Sequence, residues 1–153
     1  MTPLARRDVI QWLGMASALL AVGAPTSDAA AAKPKPKTRV TWTSVDFPDA
    51  AERSERERLL RSLLEKESKT ENWGARSGDR LEASARVLDF QVIHKPDVVR
   101  VTCTALGKLA GGPSVRTHFS MGDHPNNQRK LERMVLTLVA RGIVNRLSAV
   151  ARQ

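Results

Sequence analysis

Leu81–Met121, LEASARVLDFQVIHKPDVVRVTCTALGKLAGGPSVRTHFSM, decides the fold. Its apolar residues recur at every second position, the period of a strand with one buried face. Leu81, Ala83, Ala85 and Val87 alternate, then Leu88, Phe90 and Val92 take the other phase, which places a bulge or bend near Val87. Lys95-Pro96-Asp97 is a type I turn signal, with proline preset for the first central position. Val99, Val101, Cys103 and Ala105 then point one way, and Arg100, Thr102 and Thr104 the other. Gly111-Gly112-Pro113 turns the chain again, and Val115, Thr117, Phe119 and Met121 alternate against Arg116, His118 and Ser120. The segment is an antiparallel meander with one buried face.

Upstream, Thr38–Phe47 is rich in β-branched residues, and its alternation of Val40 and Trp42 shifts phase to Val45 and Phe47. It reads as a strand with a bulge. Pro48-Asp49 ends it, and Asp49 with Glu52 has the spacing of a helix capping box. Leu59, Leu60, Leu63 and Leu64 form a narrow helical stripe behind the charged run Glu52–Arg58, which is expected to be a solvated first turn or two. Asn72-Trp73-Gly74 closes this helix. Downstream, Leu131, Met134, Val135, Leu138, Val139, Gly142, Ile143, Leu147 and Val150 share one face of a long helix, opposite Arg129, Lys130, Arg133, Arg141 and Arg146. Gly142 in that stripe predicts a close approach to the sheet. The order β-α-β-β-β-α predicts an α+β two-layer sandwich, a mostly antiparallel four-stranded sheet with two helices on one face. The first strand joins the meander, with its partner left open.

The N-terminus has a different character. Residues 1–8 are short and basic, residues 9–24 are apolar, and Pro25-Thr26-Ser27-Asp28 breaks the helix before an alanine run. This is the pattern of a secretory signal over residues 1–32, cut after Ala29 or Ala32, where small residues occupy the −3 and −1 positions. The apolar stretch is shorter than the roughly 20 residues that span a bilayer. Ala5-Arg6-Arg7-Asp8-Val9-Ile10-Gln11 resembles the twin-arginine (Tat) type of signal, with both arginines followed by one variable and two apolar residues. It departs in having Val9 where phenylalanine is preferred, Gln11 where lysine is common, and Ala5 where serine or threonine precedes the pair. The resemblance implies export of a folded domain in a bacterium. Lys33-Pro34-Lys35-Pro36-Lys37 is an extended linker, and residues 38–153 form the single domain.

The 153-residue chain carries a formal net charge of +9. Removing residues 1–32 leaves 23 Lys and Arg against 14 Asp and Glu, the same +9. Such a surface favours anionic partners. Export makes these an envelope protein, an anionic glycolipid or a cell-wall polymer, in the periplasm, with no transmembrane helix in the mature chain. A basic nucleic-acid-binding protein is the alternative for an unexported chain, but no aromatic stacking motif accompanies the charge. One cysteine, Cys103, rules out an intramolecular disulfide. Its alternation places it in a strand as a small apolar residue.

The chain has no nucleophile elbow, P-loop, dinucleotide fingerprint or HExxH motif. Asp89, Asp97 and Asp123 lack partners in an acid–base pattern; Asp97 belongs to its turn, and Asp123 is placed as a helix N-cap near Asn126 and Asn127. Trp42 and Trp73 read as core or sheet-edge residues. His94, His118 and His124, with Asp123, offer the one route to a metal-binding protein or enzyme, provided the strand ends bring them together. Surface histidines are the simpler reading. No catalytic, metal or cofactor residue is assigned, and no cofactor is expected.

The signal, the strand, the helix, the meander and the long closing helix together resemble small bacterial envelope accessory proteins. These are the lipopolysaccharide-assembly lipoproteins and the sandwich domains of curli-secretion and penicillin-binding-protein-activator proteins. The resemblance spans Thr38–Gln153 and lacks the cysteine that a lipoprotein anchor needs. It implies a non-catalytic role in building or regulating an envelope complex.

Overall fold

The structure, a computed structural model, describes residues 38–48, 52–74 and 79–153. They belong to one compact unit, Pro34–Gln153. Residues 1–32 with Arg6, Arg7, Ala29 and Ala32, the 33–37 linker and Asp49 lie outside the described residues.

The elements are β1 (Arg39–Asp46), α1 (Arg53–Thr70), β2 (Arg80–His94), β3 (Val99–Leu109), β4 (Ser114–Asp123), a 3-10 turn at Pro125–Asn127, and α2 (Gln128–Ala151). The sheet order is β1-β2-β3-β4, and both helices pack on one face. This is the predicted α+β two-layer architecture. The open question of β1 is answered by its connection. α1 separates it from β2, and a helical crossover returns the chain parallel, so β1 pairs parallel to β2 while the other pairs are antiparallel. Both expected bulges are present, at Trp42/Ser44 and Val87/Asp89. Each moves the strand's apolar set back onto the helix side, since one extra residue reverses the facing.

Gly111, at φ 72°, makes the β3–β4 turn, a conformation that favours glycine. Glu52 corrects the capping-box expectation. It is the N-cap itself at φ 66°, with no side-chain capping bond, so the helix starts at Arg53. Glu57 ties the helix to β1 instead, accepting from Phe47 N–H at 3.1 Å. The charged run is thus only partly solvated. Arg56 lies 4.7 Å over the Phe90 ring and pairs with Glu132 at 3.0 Å.

Arg56 meets Glu132, Arg141 meets Glu67, and Ser148 donates to Glu71, so the two helices run side by side in the same direction. This shifts the buried stripe of α2. Leu136, Ala140, Val144 and Ser148 are buried beside those from the expected face, whereas Met134 is 39% exposed. A helix that packs on both a sheet and a neighbour buries a wider arc than one stripe. The core joins Leu60 and Leu64 of α1 to Val135, Val139, Ile143 and Leu147 of α2, above Val99, Val101 and Cys103 of β3. Gly142 approaches the sheet as expected: a Cβ there would lie 3.1 Å from Phe119 and Thr117. Gly107 in β3 is tighter still, since an added Cβ would overlap Ile143 Cγ2.

Candidate functional site

Among the described residues both helices lie on one face of the sheet and no element covers the other, where strand register arranges the side chains in rows. Asp46, Arg86, Leu106 and Arg116 form one row across all four strands, and Ser44, Ser84, Lys108 and Ser114 another. Farther along lie Asp89–Thr104–His118, then Gln91–Thr102–Ser120, then Ile93–Arg100–Gly122. Neighbours within rows bond: Thr104 Oγ1 and His118 Nδ1 are 2.8 Å apart, and Thr102 Oγ1 and Ser120 Oγ 2.9 Å. Gln91 Nε2 donates to Asp89 Oδ1 at 3.1 Å, within β2. Arg86, Arg100, Lys108 and Arg116 supply the positive charge of this face. Leu88, at 44% exposure, and Ile93, at 43%, supply its apolar points. Such a surface is flat, polar and held in register by the ladder beneath. It can recognise a partner surface; in its hydroxyl–imidazole contact, Thr104 with His118, the threonine is buried.

The three histidines are not assembled into one site. His118 is on the open face, while His94 and His124 share one end of the sheet, as expected. His94 Nε2 lies 2.8 Å from Gln128 Oε1, at the start of α2. Among the described residues, no group of three or more His, Cys, Asp or Glu side chains could hold a metal ion. Asp123 is not the helix N-cap. His124 caps the 3-10 turn by accepting from Asn126 N–H at 3.3 Å. Asp123 instead accepts from His124 N–H at 2.7 Å and from Asn127 Nδ2 at 3.2 Å. The His124 amide bond, then that of Asn127, holds its carboxyl below the ordinary 3.8.

Cys103 is fully buried, and burial, with the nearby Asp89 charge, pushes its thiol up to about 12. It is a packed residue and not a nucleophile. Trp42 and Trp73 are core residues joined by one serine. Trp42 Nε1 donates to Ser68 Oγ at 3.1 Å, Trp73 Nε1 donates to Ser68 O at 3.0 Å, and Ser68 Oγ donates to Leu64 O at 2.6 Å. Sequence reading missed Ser68. A serine within an apolar helical stripe, five residues before Trp73, was the available signal. The Pro125–Ala151 stretch is long and apolar enough to cross a membrane by length and composition alone, yet nine residues of α2 are buried in the domain core.

No protein-family model matches this chain, and no curated protein does. Solved structures are similar to it at low identity. A candidate lipoprotein from Caulobacter crescentus CB15 is 12% identical over 74% of this chain and 86% of that one, with a TM-score of 0.42. A minor lipoprotein from Acinetobacter baumannii is 16% identical over 72% and 93%, at 0.37. The PelC dodecamer from Paraburkholderia phytofirmans is 14% identical over 76% and 88%, at 0.35. The chain has a general likeness to small bacterial lipoproteins, at values that assign no activity.

Proposed function

We propose that this chain is an exported, non-enzymatic accessory protein of the bacterial cell envelope that acts as a periplasmic binding module. The open sheet face is the observation that carries this reading. Its rows present Arg86, Arg100, Lys108 and Arg116 with short hydroxyl side chains between them. That pattern suits an acidic protein surface, because charge complementarity steers and orients a flat contact. Residues 1–32, read as a twin-arginine signal through Arg6 and Arg7, supply the address. α2 serves as a core helix, so the mature domain stands in the periplasm with no span of its own.

Fractionation and N-terminal sequencing test the address, with Arg6→Lys/Arg7→Lys in parallel. The expected mature protein begins at Ala30 or Lys33 in the periplasm, and the double variant accumulates as precursor. A full-length cytoplasmic protein overturns the reading. The face is tested by cross-linking in cells from Ser120→Cys, using the inertness of buried Cys103. One envelope protein is expected to be captured from this position, lost with Arg86→Glu/Arg116→Glu, and absent from Thr137→Cys on the helix side. Equal capture from both sides overturns the assignment of the face.

A further inference from the structure

The six residues that turn β2 into β3, from Ile93 to Val98, are all exposed. Among the described residues four large apolar side chains stand exposed, and two of them are here, Ile93 at 43% and Val98 at 39%. Both lie on the open-face side. Ile93 shares its row with Arg100 and Gly122, and Val98 Cγ1 is 3.6 Å from where a Gly122 Cβ would stand. Glycine in that row therefore leaves the aliphatic pair without a covering side chain from β4. The tip is also held in shape. Lys95 N–H donates to Val98 O at 2.9 Å, and Pro96 fixes its own φ.

Four cations stand at this end of the sheet. Lys95 and Arg100 belong to the hairpin itself and are exposed. Arg129 and Lys130, also exposed, open α2, whose first residue the His94–Gln128 contact holds against the same end of the sheet. The acidic groups at this end are Asp97, Asp123, Glu52, Glu55 and Glu132. Asp123 is bonded to His124 and Asn127, while Glu52 and Glu132 both pair with Arg56. Asp123 keeps its charge in those bonds, so it and Asp97 offset part of the positive charge of these four cations.

We infer that this end of the sheet docks on an anionic bilayer surface. Ile93 and Val98 enter the boundary between headgroups and acyl chains, and Lys95, Arg100, Arg129 and Lys130 face the lipid phosphates. A protruding aliphatic tip with point cations at the same end of the sheet matches a headgroup layer. The contact shares Arg100 with the face that the proposed function uses, whereas Lys95, Ile93 and Val98 lie outside that set, so their variants separate a failure of one reading from a failure of the other.

The mature protein is tested by cosedimentation with vesicles of phosphatidylglycerol and phosphatidylcholine, against phosphatidylcholine alone. Binding is expected only to the anionic vesicles and should weaken as salt rises. Charge reversal at Lys95 and Arg100 is expected to lower partitioning by about fivefold or more for each cation. Ile93→Ser/Val98→Ser is expected to lower it by roughly tenfold with the salt dependence unchanged, and Asp97→Asn to raise it. Circular dichroism should report unchanged melting for these surface variants. The inference is overturned by no preference for anionic vesicles, or by Arg86→Glu/Arg116→Glu weakening binding as much as the tip variants. Competition by inorganic phosphate beyond a chloride control of equal ionic strength also overturns it, because single-phosphate capture needs no apolar tip.

Discussion

The two faces of this sheet are built from the same strands and obey opposite rules. On the helix side every position is constrained by contact. Gly107 has no room for a methyl group beneath Ile143, and Gly142 has little above Phe119 and Thr117. Ser68 is fixed by two tryptophans and its own helix. On the open side, Arg86, Lys108, Arg116 and Ser120 are exposed. One face stores the stability of the domain, and the other is free to vary with whatever it recognises.

Substitutions can sharpen that contrast or break it. The largest loss is expected for Ile143→Ala, about 2–5 kcal/mol by urea denaturation, since it empties a fully buried site. Gly107→Ala alone should cost about 1–3 kcal/mol through overpacking. Joined to Ile143→Ala it should cost less than the sum of the two, because the clashing Cγ2 is gone. Additive losses would mean that the two residues do not meet. Thr117 offers a gain. Its Oγ1 is buried and, among the described residues, is the one such side-chain atom without a hydrogen-bond partner. Thr117→Val should therefore stabilise the domain by about 1 kcal/mol. The smallest effect belongs to the open face. Arg86→Ala/Arg116→Ala should change stability by no more than about 0.5 kcal/mol in the same assay. A loss of several kcal/mol there would show that the open face is part of the core.

Burial of Cys103 adds an alkaline signature to the helix side. Its folded thiol keeps its proton up to about 12, whereas an ordinary thiol loses it near 9.0. Between those values the unfolded chain binds fewer protons than the folded one, so the stability the thiol contributes falls as pH rises. Denaturation midpoints of wild type and Cys103→Ala, followed above pH 9, should diverge in slope, with wild type falling faster. Parallel slopes would place the thiol in contact with water.

Much of the architecture was legible because strand periodicity is a local property. The alternation in Val99–Ala105 and Val115–Met121, the phase shifts at Val87 and after Trp42, and the close approach of Gly142 each involve residues a few positions apart. The candidate face was legible in the same way, since Arg100, Thr102, Arg116, His118 and Ser120 occupy the polar phase of their strands. The tip was not. Its apolar character depends on Gly122 standing beside Val98, two residues far apart in the chain.

The order of elements, the bulges, the buried cysteine and the outward phase of the polar residues all follow from pleat and helix geometry acting over a few residues. Four other features were settled only by folding. These are the parallel pairing of β1 with β2, the burial of Leu136 and Val144 against α1, the use of Glu52 as a left-handed cap, and the bridge of Ser68 between two tryptophans. Each depends on which surfaces meet once the helices lie side by side on one face. A local pattern records which side of an element is apolar; what covers that side is decided by the packed whole.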